Sequence, residues 1–244
     1  MPEIKTALEL KGVSKKYKNF SLDNISYKIP KGAIMGFVGS NGAGKTTTIK
    51  SILGLVAVDS GEITVFGEQI LPSTIREKIG IVTDKSHYDE SWTVADVEKY
   101  VSPFFPQWNK SKFDSYINRF EISKSKKVSE LSAGMETKLM LAVALAHEAN
   151  LLILDEPTAT LDPMARDDLC NQLLEFVADG ENSVLFSTHI VSDLEKISDY
   201  ITFIMDGRIV FSKSKEDLLA ENSSKDITTL EGIILEYYKE GRGH

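Results

Sequence analysis

The residues with the clearest capacity for chemistry are eight consecutive positions that form a glycine-rich, phosphate-binding pattern. They are Gly39, Ser40, Asn41, Gly42, Ala43, Gly44, Lys45 and Thr46, with Thr47 directly after them. Glycines without side chains let the backbone turn tightly, so its N–H groups can approach phosphate oxygens. At this spacing the lysine would reach the β- and γ-phosphates, and the Thr46 hydroxyl would bind Mg²⁺. The pattern therefore predicts a site for a nucleoside triphosphate.

A loop of this kind needs a strand before it and a helix after it, and the flanking residues predict both. The apolar run Ala33–Val38 predicts a buried strand, and Lys45–Leu53, closed by Gly54, predicts a helix. The positive N-terminal end of that helix would face the same phosphates. The alternative is a chance glycine turn, but such a turn would not hold a lysine and a threonine in register behind a strand.

Two acids and a histidine follow other predicted strands. The apolar run Leu151–Leu154 ends in Asp155 and Glu156, and the strand Val184–Ser187 is followed closely by His189. Asp155 can complete a Mg²⁺ shell, while Glu156 can orient or deprotonate an attacking water. His189 would point into the crevice at the strand ends and could donate a hydrogen bond to the γ-phosphate. The alternative for the two acids is solvated charge at the end of a strand.

A further segment, Leu131-Ser132-Ala133-Gly134-Met135, lies just before the apolar helix predicted over Lys138–Ala146. At a helix start, free N–H groups and the Ser132 hydroxyl face outward, where they can meet an anion. Taken alone, this segment is an ordinary helix beginning.

Around these residues, predicted strands alternate with predicted helices, a pattern typical of an α/β protein with a parallel sheet. Hairpins at both ends, the second turning at Asp206-Gly207, predict an added antiparallel layer. The mostly helical stretch 91–149 predicts an inserted lobe. We therefore expect a P-loop nucleotide-hydrolase core with a mostly parallel sheet, an N-terminal antiparallel β layer and an inserted helical lobe. The expected division is one domain over residues 1–215 and a helical tail over 216–244.

Composition limits the possible functions. The 244 residues carry a formal net charge of −8, which argues against a surface that wraps nucleic acid. The apolar stretch Leu139–Ala146 is far shorter than the roughly 20 residues that cross a bilayer. The N-terminus lacks the pattern of a secretory signal, and the single cysteine, Cys170, suits a reducing compartment. These features predict a cytoplasmic protein.

Taken together, the motifs resemble those of the ATP-binding subunit of ABC transporters, from Leu8 to about Ser212. The resemblance lies in their order: the phosphate loop, then LSAGM, LLILDE, the segment from Ala159 to Asp162, and His189. LSAGM is similar to the family signature LSGGQ and keeps Ser132 and Gly134, which carry phosphate contacts in that family. The resemblance implies an ATPase that uses Mg²⁺.

The resemblance also implies roles for three other residues. Tyr17 stands where the family stacks an aromatic ring on adenine, although a packed surface tyrosine is the alternative. Asp162 matches the loop that crosses to a second nucleotide site. Asp84 follows the strand Ile79–Thr83, where the family usually has a glutamine that contacts Mg²⁺ and senses the membrane partner. An aspartate can still bind Mg²⁺ through oxygen, but it is shorter and charged.

Finally, the resemblance implies an assembly. In the family, the signature of one subunit closes over ATP held by the phosphate loop of another, so a homodimer with two ATP sites is expected. The segment Phe104–Asn109, with Phe113 and Phe120, is similar to exporter subunits of the drug and antimicrobial-peptide efflux branch. In that branch the helical lobe contacts a membrane permease, whereas the alternative places these aromatics in the lobe core. The chain would then lie on the inner face of the cell membrane through its permease.

Two other functions remain as alternatives. One is an ABC-type ATPase that acts on ribosomes or DNA without a transporter, although the chain has one cassette, negative charge and no predicted nucleic-acid surface. The other is a regulatory nucleotide-binding module without turnover, which would lack the catalytic acid that Glu156 supplies.

Overall fold

The computed structural model describes residues 5–69, 73–83, 85–159, 161–223 and 228–241, with four of them (73, 74, 240 and 241) described by backbone alone. These residues form ten strands and nine α-helices. The strands are β1 Thr6–Lys16, β2 Ser21–Pro30, β3 Ile34–Val38, β4 Ser60–Val65, β5 Glu68–Gln69, β6 Ile79–Val82, β7 Leu151–Asp155, β8 Ser183–Thr188, β9 Tyr200–Met205 and β10 Arg208–Ser214. The helices are α1 Lys45–Ile52, α2 Ser73–Arg76, α3 Val94–Val101, α4 Lys110–Arg119, α5 Ala133–Ala146, α6 Pro163–Val177, α7 Val191–Ile197, α8 Lys215–Asn222 and α9 Leu230–Gly241.

The strands form two sheets. One is antiparallel, in the order β2-β1-β4-β5, and the other has six strands in the order β10-β9-β3-β8-β7-β6. In the second sheet every neighbouring pair is parallel except β9 with β10. The predicted α/β class, with a mostly parallel sheet and an N-terminal antiparallel layer, is confirmed.

One part of the layer prediction is wrong. The C-terminal hairpin of β9 and β10 does not belong to the antiparallel layer, because β9 pairs in parallel with β3 and carries β10 as the edge of the main sheet. The hairpin turn itself was predicted from Asp206-Gly207, but a turn sequence does not specify which sheet its strands join.

Two apolar cores lie on opposite faces of the main sheet. Strand β3 is buried on both sides, and its residues alternate between them: Ile34 and Val38 face one core, while Met35 and Phe37 face the other. The first core is filled mainly by helices, and the second contains the antiparallel sheet and α1. A strand buried on both faces is continuously apolar, which is why it was readable from the sequence.

The helical lobe lies between β6 and β7. Thr93 begins α3 through a capping box with Asp96, and Asn109 caps α4 by accepting from the N–H of Lys112. Its aromatic residues include both buried and exposed ones. Phe113 and Phe120 are buried in the lobe core, whereas the Phe104 side chain is 76% exposed.

The C-terminal helices pack on the main sheet. Tyr237 of α9 lies 5.0 Å from the Phe211 ring, and Tyr238 lies 5.0 Å from Phe203, measured between ring centroids. The Glu195 carboxylate on α7 accepts the N–H of Leu230 at 2.7 Å and so caps the start of α9. The boundary at residue 215 stays a prediction.

His147, directly after α5, makes the fold sensitive to acid. Its ring is buried and stacked on Phe105 at 4.1 Å. Burial lowers the pKa of His147 to about 4, although nearby backbone carbonyls, including that of Glu77, and the Glu148 charge oppose the shift. The unfolded chain takes up this proton near pH 6.5, whereas the folded chain takes it up only near pH 4. The free energy of unfolding is therefore not reduced by His147 above pH 6.5, and it falls by at most about 3 kcal/mol as the pH drops toward 4.

His147→Phe keeps an aromatic ring beside Phe105 and removes the titrating group. We expect the variant to lose less stability than the unaltered chain between pH 7 and pH 4.5, measured by urea unfolding at both values. Carboxylates titrate in both proteins, so the difference between them isolates the imidazole. Parallel losses of stability would show that His147 does not titrate in this way.

Candidate nucleotide site

The phosphate loop connects β3 to α1, and its glycines allow the backbone conformation that it adopts. Gly42 and Gly44 have φ of +83° and +115°, values that residues with side chains rarely adopt. A Cβ at Gly44 would lie 2.7 Å from Leu22, so close packing also requires glycine there. The loop carbonyl of Ala43 accepts the N–H of Gly207 at 2.9 Å, which ties the loop to the β9–β10 turn.

Lys45 is the first residue of α1 and is almost fully buried, with 5% of its surface exposed. Its Nζ donates to the carbonyl of Gly39 at 2.6 Å and forms an ion pair with Glu156 Oε1 at 3.1 Å. The ammonium therefore lies against the loop itself, where it could exchange these partners for phosphate oxygens. The two hydroxyls after it, Thr46 and Thr47, lie in the first turn of the helix.

Oxygen donors for a divalent cation lie beside this loop. The Asp155 carboxylate, at the end of β7, accepts hydrogen bonds from the hydroxyls of Thr46 and Ser187, the latter at 3.1 Å. Burial raises the pKa of Asp155 above its ordinary value, and these two hydrogen bonds oppose the shift. A hydroxyl and a carboxylate in contact fit the oxygen preference of Mg²⁺. Asp84, the third predicted ligand, lies outside the described residues, as does Thr160.

Glu156 and His189 form a pair at the carboxyl ends of β7 and β8. His189 Nδ1 lies 2.7 Å from Glu156 Oε2, and the other oxygen of the same carboxylate pairs with Lys45. The backbone of Glu156 has φ of +53°, which is uncommon for a residue with a side chain, and its N–H donates to the Ser187 carbonyl. Adjacent parallel strands thus bring the lysine, the glutamate and the histidine to one point.

Tyr17 follows β1 and lies near the other end of the loop. It is 47% exposed, and it lines an open cavity of about 530 Å³ together with Gly42 and Asp206. The Lys15 ammonium lies 5.9 Å from its ring centroid. An exposed ring beside the phosphate loop is available for stacking on a base.

Ser132, Gly134 and Asp162 form a separate group. Ser132 caps α5 by accepting the N–H of Met135, and Asp162 caps α6 by accepting from Met164 and Ala165. The two helix starts are neighbours, because a Cβ at Gly134 would lie 3.2 Å from Leu161. The hydrogen bonds described for Ser132 and Asp162 stay within their own helix starts. The structure thus brings the predicted residues together in two groups.

Two residues that support the nucleotide site were not predicted from the sequence. Ser187 supports Asp155, and Gly207 braces the phosphate loop. A serine near the end of β8 carries a weak signal, since strand ends beside a phosphate loop commonly face the ligand. Gly207 carried only the signal of a turn, and its contact depends on the packing of β9 against β3.

A phosphate loop between a central parallel strand and a helix, with two acids at the end of the next strand but one, β7, defines a P-loop nucleoside triphosphatase. A model of the ABC transporter family matches residues 22–159, more than half of the chain. The chain belongs to the ABC transporter family. It is an ATP-binding, ATP-hydrolysing subunit that powers transport, and the comparisons give no support to the ribosome or DNA alternative.

Curated relatives agree with this assignment. The chain is 31% identical to a Nod factor export ATP-binding protein I of Burkholderia orbicola, over 92% of this chain and 76% of the relative. The same protein from Rhizobium leguminosarum bv. viciae is 34% identical, over 88% and 71%. Among solved structures, an ATP-binding subunit of an ABC transporter matches with a TM-score of 0.84 and 26% identity, over 94% of this chain and 98% of the other. The cbiO1 protein of Clostridium perfringens shares the fold, with a TM-score of 0.73 and 23% identity over 89% of this chain and 92% of the other.

Proposed function

We propose that this chain drives export as one of two identical subunits, with ATP hydrolysed at sites shared between them. The observation that carries the proposal is the convergence of Lys45, Glu156 and His189 at 3.1 and 2.7 Å beside the phosphate loop. These groups have the chemistry of triphosphate hydrolysis, namely a cation for phosphate, a general base and a hydrogen-bond donor.

Each residue has a role in this proposal. The loop from Gly39 to Gly44 presents N–H groups to the phosphates, and Lys45 supplies a positive charge at the γ-phosphate. Glu156 orients and deprotonates the attacking water, the backbone N–H of His189 donates to that carboxylate at 3.3 Å, and the imidazole of His189 donates to the γ-phosphate. Tyr17 stacks on the adenine ring. Thr46 and Asp155 would hold Mg²⁺, which would neutralise phosphate charge and act as a Lewis acid.

The second group supports a shared site. Ser132, Gly134 and Asp162 lie at two neighbouring helix starts, whose N–H groups and positive dipole ends favour an anion. Ser132 and Asp162 are exposed, and none of the hydrogen bonds described for them reaches the phosphate loop of their own chain. Two-fold pairing would place this group over the loop of the other subunit and complete two equivalent sites.

Export through a membrane permease rests on the relatives and on the lobe. Proteins 31 to 34% identical are named Nod factor export ATP-binding proteins, and we extend the direction of transport, without the substrate, to this chain. None of the described helices is long and apolar enough to cross a membrane. The exposed rings of Phe104 and Tyr100 on the lobe suit contact with the permease. We place the subunit on the cytoplasmic face of the membrane, bound through that permease.

Ser132→Arg tests the shared site. The long, charged side chain would fill the space that the opposing nucleotide enters, while the phosphate loop of the same chain stays unaltered. We expect ATP turnover to fall by about 100-fold or more, with ATP affinity of the monomer unchanged, measured by phosphate release and calorimetry.

The matched control is Ser125→Arg, because Ser125 is also an exposed serine of the lobe. It should turn over ATP normally. Normal turnover by Ser132→Arg would show that the site is complete within one chain.

A further inference from the structure

Close to the catalytic pair in sequence, a buried polar network joins the loop after β7 to the start of α7. The Thr158 hydroxyl donates to Asp193 Oδ2 at 2.8 Å, and Arg166 Nη2 donates to Oδ1 of the same carboxylate at 3.0 Å. Thr158 and Asp193 are 1% and 7% exposed. A carboxylate so far from water costs free energy unless its oxygens are bonded, so each partner is needed where it lies.

This network runs beside the contact within the site. Thr158 follows Glu156 by two residues, and Asp193 follows His189 by four. The same two segments are therefore joined twice, once by the 2.7 Å contact between Glu156 and His189 and once by the 2.8 Å bond of the network. A single contact would fix only the distance between the two segments, whereas two contacts also fix their relative orientation.

The arginine extends the network to a third segment. Arg166 lies in the first turn of α6, and its N–H donates to the carbonyl of Asp162, the residue that caps this helix. The Asp193 carboxylate thus links the start of α7, the loop after β7 and the helix that presents Asp162. These are the segments that carry the proposed base, the proposed phosphate donor and the residue proposed to cross between subunits.

We infer that Thr158, Asp193 and Arg166 are positioning residues for ATP hydrolysis, which set the geometry of Glu156 and His189 without contacting the nucleotide. The inference rests on the proposed function, because it concerns the alignment of that base and that donor. General-base catalysis is sensitive to alignment, since a displacement of about 1 Å can cost a factor of 100 in rate. The network supplies the rigid support that such alignment requires.

Thr158→Val is the sharpest test, because valine keeps the volume and branching of threonine and removes only the hydroxyl. We expect kcat for ATP hydrolysis to fall about 10- to 100-fold while KM for ATP changes less than about 2-fold. Thr158→Ser restores the hydroxyl and should recover most of the rate. A kcat unchanged by valine, or not recovered by serine, would overturn the inference.

Thr202→Val is the matched control. Thr202 on β9 is fully buried, and its hydroxyl contacts Met35 Sδ at 3.0 Å and Ser212 Oγ at 2.8 Å, away from the network. The Thr202→Val variant loses a comparable buried hydroxyl, and its kcat should match that of the unaltered chain. An equal loss of kcat in this control would assign the effect to stability and contradict a positioning role.

A second readout needs no nucleotide. In hydrogen–deuterium exchange of the chain without ATP, Thr158→Val should speed exchange of the backbone amides at 188–193, from the end of β8 to the first turn of α7, by about 10-fold or more. Thr202→Val should leave those amides unchanged. If the unaltered chain hydrolyses no ATP, the proposed function fails, whereas the exchange data still report whether the two loops are coupled. Unchanged exchange at 188–193 in Thr158→Val would overturn the inference itself.

Discussion

Glu156→Gln is expected to hydrolyse ATP about 10²- to 10⁴-fold more slowly than the unaltered chain, while binding ATP at least as tightly. Glutamine keeps the shape of the side chain and its reach to His189, but it cannot accept a proton from water. Loss of the charge also removes the ion pair with Lys45 at 3.1 Å, so the ammonium is freer to meet phosphate. With hydrolysis blocked, the ATP-bound dimer should accumulate.

Phosphate release and gel filtration with and without ATP measure the two effects. Glu175→Gln is the matched control, because Glu175 also pairs with a cation, Arg119, at 3.0 Å but lies on the exposed surface of α6. The control should behave like the unaltered chain. A Glu156→Gln protein that stays monomeric and turns over ATP normally would remove Glu156 from the mechanism.

Lys45→Ala is expected to bind ATP about 100-fold more weakly or worse, as measured by calorimetry. The ammonium is almost fully buried and bonded to a carbonyl of the loop, so its loss leaves the phosphate charge without its strongest partner. Losing a charged hydrogen bond in a desolvated site costs about 2–5 kcal/mol, which exceeds the loss for a surface charge.

Lys50→Ala provides the comparison for this variant. Lys50 lies on the same helix, α1, and is exposed, so the substitution makes the same change in net charge. We expect its ATP affinity to stay within about 2-fold of the unaltered value. Equal affinities for Lys45→Ala and the unaltered chain would show that the loop does not bind the triphosphate.

The sequence was most informative where one physical requirement determines the residues. Strands β3, β7 and β8 are buried on both faces, so each contains an unbroken run of residues without polar side chains, and the phosphate loop needs glycine at positions with positive φ. The sequence over Ala7–Leu10 indicates only the first part of strand β1, which continues to Lys16. Its second half is polar and contains Gly12 with φ of +62° in an irregular stretch of the pairing, so its local pattern resembled a turn.

The same distinction holds for the site. Lys45, Asp155, Glu156 and His189 were predictable because each follows a recognisable strand. The network of Thr158, Arg166 and Asp193 was not, since it depends on how α6 and α7 pack after the sheet has formed. A residue 35 positions away in the chain gives no local sign of that partnership.

The central claim, that each ATP is hydrolysed between two chains, is tested most directly by mixing two inactive variants. Lys45→Ala lacks a working phosphate loop and Ser132→Arg lacks a working signature, so neither should turn over ATP alone. In a mixed dimer, the intact loop of the Ser132→Arg chain meets the intact signature of the Lys45→Ala chain. We predict that mixing restores ATP hydrolysis, to about a quarter of the unaltered rate if the chains pair at random and each site works independently. A mixture of folded chains that exchange subunits and still release no phosphate would contradict the account.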